Sequence, residues 1–392
     1  MKALYIAHFL PSSSAPARRM QAVITLLELC GYEVEVVLVG VFPPDPVPSD
    51  WMGRCVHVDE SLFLPGWRKL SKNLERLTSR KATVLCEAVI RSVRPNLVLT
   101  YGISYEVASL LMALSKRFDF SIVVDNTDWF NPAFNGDVAA YAMERSKLRR
   151  FDSLDPKADG VIAISPYLKE HFEGLGTRSF FLPSVVPDLP QFDEEGFLRV
   201  GSDLIRFVYA GSLGMGKDLI KPILDAFEAL PPAYDDRLSL EIIGPSPQEV
   251  SNACEREYEH LSNVSIVGRK PHDYVENALS RASFSFLLRK SERYAKAGFS
   301  TKFGECMCMG VPMICNEVGG ADAVLENGVD GIVLPNAEPD TVLSALVSIA
   351  ELDSSALLNM RRAARKKAET LFNPKTYAES FAQFLREVCD HG

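Results

Sequence analysis

No stretch of this 392-residue chain approaches the roughly 20 consecutive apolar residues needed to cross a bilayer, so no membrane-spanning helix is expected. Cysteine never occurs as Cys-x-x-Cys. None of the 6 histidines stands at metal-ligand spacing from Cys30, Cys55, Cys86, Cys254, Cys306, Cys308, Cys315 or Cys389. That argues against a zinc module or a disulfide scaffold, and for reduced, mostly buried thiols in a cytoplasmic protein. Positive charge is in deficit: 42 basic against 51 acidic residues give a net charge of −9, which argues against wholesale nucleic-acid binding. Tandem repeats and low-complexity segments are lacking as well. With 47% apolar and 24% charged residues, the composition excludes disordered and collagen-like chains. The start of the chain faintly imitates a signal peptide, with Lys2, the apolar stretch Ala3-Leu10 and Ala15-Pro16-Ala17. The stretch is short and His8 interrupts it, so it is expected to be an ordinary first strand.

What is present is a rhythm of short β-branched runs followed by amphipathic helices, the pattern of an α/β protein with parallel sheets. In the first half the expected strands are Ala3-Ala7, Val34-Val39, Leu97-Thr100, Ser121-Val124, Gly160-Ile164 and Ser179-Leu182. Around residues 183–203 the pattern breaks at Pro183, Pro187, Pro190 and the run Asp193-Glu194-Glu195-Gly196, which predicts a linker. The rhythm restarts with Arg206-Ala210, Leu240-Gly244, Val264-Val267, Ser283-Leu287, Pro312-Cys315 and Gly331-Leu334. Beyond Leu334 the chain is almost wholly helical, with Leu343-Leu352, Leu357-Phe372 and Tyr377-Val388. The expectation is two doubly wound, Rossmann-like domains facing a central cleft, with C-terminal helices. Its boundaries are a first domain over 1–186, a linker over 187–204, a second domain over 205–372 and a terminal helix over 373–392 that returns to the first domain.

Two loops carry the chemistry. In Tyr209-Ala210-Gly211-Ser212-Leu213-Gly214-Met215-Gly216-Lys217-Asp218 a strand runs into three glycines and a lysine. Glycine lets backbone amides approach an anion, and a following helix N-terminus adds partial positive charge. A nucleoside-triphosphatase P-loop needs a Ser or Thr hydroxyl where this chain has Asp218, whose carboxylate would repel phosphates. A diphosphate loop of another class and a plain structural glycine turn remain. The second loop is Gly298-Phe299-Ser300-Thr301-Lys302-Phe303-Gly304-Glu305. Glu305 is the one acid in an otherwise apolar stretch from Phe303 to Cys315, and burying a carboxylate requires donors. It either accepts hydrogen bonds from a polyol such as ribose or pairs with Lys302 one helical turn away. In the first half, Asp125 and Asp128 follow an apolar strand and stand at its carboxyl-end rim, as base or acceptor-orienting groups or as turn formers. Arg18 and Arg19 open the first helix beside the same rim, as phosphate contacts or as a solvated helix start.

The stretch from about Arg206 to Pro335 resembles the donor domain of family-4 glycosyltransferases, retaining enzymes with the GT-B fold. The family's G-R-L-x-x-x-K-G is matched by Gly211-Ser212-Leu213 and Lys217, and its E-A-M-A-x-G-x-P-V by Glu305-Cys306-Met307-Cys308-Met309-Gly310-Val311-Pro312-Met313. Gly319-Gly320, Asn327-Gly328 and Gly331 resemble its closing segment, and the first half matches more weakly. The resemblance implies transfer of a sugar from a nucleotide-diphospho-sugar, UDP- or GDP-linked, to an acceptor hydroxyl on a glycan, a lipid-linked or a small molecule. It implies retention of configuration, no catalytic metal and no cofactor. Lys217 would hold the diphosphate and Glu305 the ribose, with Asp128 on the acceptor side as the third catalytic residue. Gly211, Ser212, Gly298, Phe299, Ser300, Thr301 and Lys302 would line the donor, and Arg269 would lie near the base. Ser14, Arg18, Asp125 and Asp128 make up the acceptor side.

The chain also departs from the family. Ser212 replaces an arginine, Ala297 stands where a glutamate would contact a sugar hydroxyl, and Ser12-Ser13-Ser14-Ala15-Pro16 replaces a glycine pair. These losses keep a non-catalytic nucleotide-sugar-binding subunit in view, alongside a nucleotide-sugar epimerase or phosphorylase on a related fold. Finally, Arg68, Lys69, Lys72, Arg76, Arg80, Lys81, Arg91 and Arg94 face only Glu75 and Glu87 between residues 61 and 94. That local excess predicts either a peripheral contact with anionic membrane or a solvated helix face.

Overall fold

The computed structural model describes residues 1–8, 15–42, 55–59, 72–75, 78–132, 136–186, 189–199, 204–213, 218–258, 260–318 and 320–390. The chain forms two compact units, Met1–Pro187 together with Pro374–Gly392, and Asp188–Asn373.

The first unit is built on a seven-stranded parallel sheet in the order β3-β2-β1-β4-β5-β6-β7. Its strands are β1 (Lys2–Ala7), β2 (Glu33–Phe42), β3 (Cys55–Asp59), β4 (Leu97–Tyr101), β5 (Ser121–Asn126), β6 (Gly160–Ala163) and β7 (Ser179–Phe181). Strands β4 and β6 are buried at every residue, as their unbroken apolar runs require when helices cover both faces. Ser104, Asp137 and Ser165 start helices Tyr105–Phe118, Val138–Ser153 and Pro166–Gly174 by accepting from Val107, Ala140 and Leu168 amides. Strand β3 was not expected from the sequence: its alternation, Cys-Val-His-Val-Asp, is short, and at this edge Val58 is buried while Val56 is exposed. The C-terminal helix Ala378–Cys389 belongs to this unit and drives Phe381, Phe384, Leu385 and Val388 into its core.

The second unit carries a six-stranded parallel sheet in the order β10-β9-β8-β11-β12-β13. These strands are β8 (Ile205–Ala210), β9 (Leu238–Ile243), β10 (Val264–Gly268), β11 (Phe284–Leu287), β12 (Met313–Asn316) and β13 (Gly331–Leu334). Helix Lys221–Glu228 buries Ile223, Leu224 and Phe227 against β8 and β9 residues, one face of an amphipathic helix. The strand order reverses between β1 and β4 in one unit and between β8 and β11 in the other. Such switch points leave a crevice beyond the strand carboxyl ends where ligands of open α/β sheets bind.

The segment expected as a linker has structure of its own. It contains helix Glu194–Arg199, which is held on the second unit. Arg361 lies 4.2 Å over the Phe197 ring, Arg362 donates to Glu194 at 3.0 Å, and Arg365 donates to the Pro190 carbonyl at 2.6 Å. The acids that suggest a chain break are instead the first turn of a helix, where negative charge is favoured. No single described helix is long and apolar enough to cross a membrane.

Candidate functional site

At the switch point of the second unit the two loops singled out in the sequence meet. Gly211 follows β8 with φ +146°, a conformation that side-chain-bearing residues rarely adopt, and Cε of Lys302 packs 2.8 Å from where a Cβ would stand. The neighbouring Gly244, at φ +123°, ends β9 so close to Gly211 that a Cβ would meet its carbonyl oxygen. Lys302 Nζ donates to Asp218 Oδ2 at 2.8 Å and sits 3.6 Å from the centre of the Tyr209 ring. Arg289, just past β11, donates from Nε to Asp218 Oδ1 at 2.9 Å, and the Tyr209 hydroxyl donates to Oδ2 at 3.1 Å. Burial opposes the charge on Asp218, but Lys302 and Arg289 outweigh it and hold its carboxyl below the ordinary range. Burial also lowers Lys302 from its usual value, with Asp218 pulling the other way. Lys302 thus turns to Asp218 rather than making the one-turn pair with Glu305, and Asp218 is neutralised instead of repelling anions.

The rest of the second loop sorts itself by burial. Ser300 precedes helix Thr301–Cys308 without capping it through its side chain, and the hydroxyl-bearing Thr301 is half-buried. Glu305 stands on that helix, half-buried. The Phe299 ring is buried against Phe303 at 5.6 Å and Phe372 at 6.0 Å, so its side chain anchors the loop to the core. Ala297, where the resemblance places a glutamate, is fully buried. Arg269 is exposed at the end of the edge strand β10, and Ser212 is exposed beyond β8. Lys217, Ser14 and Gly319 lie outside the described residues, as do Arg68, Lys69 and Arg76 of the basic run. Within the described part of that run, Arg91 pairs with Glu87 at 2.6 Å, and Arg94 lies 4.6 Å over the Phe118 ring.

In the first unit the acceptor-side aspartates separate. Asp128 is exposed, and Arg18 is half-buried. Asp125 is 1% exposed and its carboxylate is engaged on every side: Arg19 donates from Nε at 3.2 Å to both oxygens and from Nη2 at 2.9 Å, while the Tyr5 hydroxyl donates at 2.9 Å. Arg19 also donates to the carbonyls of Leu182 at 2.7 Å and Pro183 at 2.6 Å. Burial would lower Arg19, but Asp125 outweighs it and keeps the guanidinium above its ordinary value. Burial, reinforced by Asp125, pushes the Tyr5 phenol well above its ordinary value. Asp125 is therefore a scaffold residue tying β1, β5, the first helix and the chain after β7. Arg19, rather than Arg18, is the built arginine of the pair.

The sequence reading also missed a cavity. A space of about 250 Å³ lies at the switch point of this unit, lined among others by His8, Gly40, Lys72, Glu75, Ser104 and Lys147. None of Arg18, Asp125 and Asp128 lines it. Its one sequence signal was His8, a polar residue ending an apolar strand, whose amide donates to the Tyr101 carbonyl across β1 and β4 at 3.1 Å. Among the described residues no group of three His, Cys, Asp or Glu side chains could hold a metal ion.

Residues 205–351 match the family model of glycosyl transferases group 1. A curated relative, the amylovoran biosynthesis glycosyltransferase AmsK of Erwinia amylovora, is 24% identical over 126 residues, which is 32% of this chain and 31% of that protein. Among solved structures, sucrose-phosphate synthase from Thermosynechococcus elongatus superposes with a TM-score of 0.71 at 17% identity, covering 100% of both chains. Anabaena HepE in complex with UDP superposes with a TM-score of 0.63 at 14% identity, covering 98% of this chain and 99% of that one. The second unit thus carries the stretch that resembles group 1 glycosyl transferases, and the chain as a whole shares the GT-B fold of two Rossmann-like units.

Proposed function

We propose that this protein is a glycosyltransferase that moves a sugar from a nucleotide-diphospho-sugar to an acceptor hydroxyl, with retention of configuration and without a catalytic metal. The observation that carries this reading is the meeting of the Gly211 loop and the Gly298–Glu305 loop through Lys302 at the β8–β11 switch point. Lys217, the loop amides and the N-terminus of helix Thr301–Cys308 would stabilise the departing diphosphate. Glu305 would orient the ribose. The second unit would hold the donor and the first the acceptor, a glycan, lipid-linked or small molecule. HepE is known in complexes with UDP and UDP-glucose, which favours a UDP-sugar, with GDP-sugars next.

A melting-temperature screen against UDP, GDP and ADP sugars identifies the donor, since a ligand at about 100 times its Kd adds roughly 2.7 kcal/mol of stability. Labelled sugar should then appear on an acceptor with the donor's anomeric configuration, and EDTA should not suppress it. Donor binding without transfer over a broad acceptor panel would instead favour the non-catalytic binding subunit that Ser212 and the buried Ala297 keep in view. The protein would work in the cytoplasm, with the basic run of 61–94 touching anionic lipid. Salt-sensitive sedimentation with anionic vesicles, lost on reversing Lys69, Lys72 and Arg76, tests that contact.

A further inference from the structure

The ion cluster in the second unit does not balance. Asp218 brings one negative charge, and Arg289 and Lys302 bring two positive ones. Their side chains are only 8%, 15% and 13% exposed. Both oxygens of Asp218 are already used: Oδ1 by Arg289, Oδ2 by Lys302 and by the Tyr209 hydroxyl. An uncompensated cation in so dry a place is costly, so the cluster is built to meet a further anion.

Its construction is also stiff. The Arg289 amide donates to Asn316 Oδ1 at 2.9 Å, and the Arg289 carbonyl accepts from Asn316 Nδ2 at 2.9 Å. On its other side the chain pairs with the strand-like stretch at Asp218, where the Leu219 amide donates to the Leu288 carbonyl at 2.8 Å. Nε is the one guanidinium nitrogen of Arg289 committed to a partner among the described residues, which leaves the Nη edge for a ligand. Lys302 has two of its three donors beyond the Asp218 bond, and its stem lies against Gly211.

We propose that Arg289 is a further cation of the donor-diphosphate site, beside Lys217 and Lys302, supplying from the end of β11 the charge that Ser212 does not supply from the end of β8, and that Asp218 is the positioning residue that aims Arg289 and Lys302 together. This rests on the reading of the unit as a nucleotide-sugar site, and it adds to that reading which side chains meet the phosphates. It also explains an acid in a phosphate loop: the carboxylate is spent holding two cations and leaves a net positive charge.

The test is calorimetric titration of the full chain with whichever of UDP, GDP and ADP binds most tightly, and with the matching nucleoside, which lacks phosphates. Arg289→Gln should lose about ten- to hundredfold in diphosphate affinity and keep nucleoside affinity, as expected for loss of a charge-assisted contact. Arg289→Lys, which keeps the charge and loses the fork, should fall between, and it serves if the glutamine variant does not fold. Asp218→Asn is the sharper arm. Removing a negative charge should by simple electrostatics tighten diphosphate binding, whereas loss of the positioning acceptor should weaken it while the nucleoside is unaffected. Unchanged diphosphate affinity in the Arg289 variants, or tighter binding by Asp218→Asn, would overturn the inference and leave the donor-site reading standing. Wild-type protein that prefers no diphosphate over its nucleoside would overturn both.

Discussion

Substituting Asp125 by Asn separates scaffold from catalyst in the first unit. The Arg19 and Asp125 side chains are 4% and 0% exposed, and the guanidinium has no other carboxylate within its described bonds. Asparagine keeps an acceptor for the Tyr5 hydroxyl but strands the Arg19 charge among two carbonyls. Removing one partner of a buried ion pair costs about 3–5 kcal/mol. For a unit of this size each kcal/mol moves the melting temperature by roughly 2–4 °C, so a fall of about 6–20 °C follows. All 3 tryptophans, Trp51, Trp67 and Trp129, lie outside the 188–373 stretch that makes the second unit, so tryptophan fluorescence does not report on that unit directly. Trp129 is well placed as a reporter, with its ring 4.9 Å from Phe151 and 4.7 Å from His171. Replacing both partners, Arg19→Met with Asp125→Leu, should cost less than Asp125→Asn alone, because no charge is left buried. A variant Asp125→Asn that melts within about 2 °C of wild type yet loses all sugar transfer would refute the scaffold assignment and return this carboxylate to the acceptor side.

Three further outcomes follow from the same geometry. Phe384→Ala, which empties a site packed 5.5 Å from Phe180 and 6.1 Å from Phe381, should cost the first unit about 3–5 kcal/mol by the same fluorescence melt and leave the second unit unaffected. Gly244→Ala forces a Cβ onto the Gly211 carbonyl and should weaken nucleotide binding, read by calorimetry, as well as lower the melting temperature of the second unit. Asp218 is held below its ordinary value in the folded state, so between that lowered value and the ordinary carboxylate range the unfolded chain binds more protons, and stability rises with pH. The second unit should therefore lose stability in acid as Asp218 protonates, seen by circular dichroism, and Asp218→Asn should flatten that part of the profile.

The fold was legible because parallel strands buried on both faces leave unbroken apolar runs, and the expected runs coincide with β1, β2 and β4 through β13 to within a few residues. Strand β3 escaped because an edge strand with polar residues at alternate positions carries little apolar signal. The 194–199 helix escaped because its stability comes from Arg361 and Arg362 far along the chain, which no local pattern records. The two loops of the candidate site were visible through their glycines, yet the partners inside it were not. Lys302 was weighed against Glu305, its neighbour in sequence, while its partner Asp218 lies 84 positions away. Likewise Arg19 and Asp125, 106 positions apart, look like independent surface charges until the sheet brings them together.

The most direct test of the central claim compares nucleotide binding by wild type, Lys217→Ala and Glu305→Gln, using the donor nucleotide found by the melting screen. Loss of the lysine removes a charge-assisted diphosphate contact worth roughly 1.5–3 kcal/mol, and the glutamine weakens acceptance of ribose hydroxyls while preserving shape. Both variants should bind about tenfold or more weakly by calorimetry with the first unit's fluorescence melt unchanged, and Lys302→Ala should weaken binding as well. Wild-type affinity in both Lys217→Ala and Glu305→Gln would contradict the donor-site assignment, and the case for sugar transfer would then rest on likeness of fold alone.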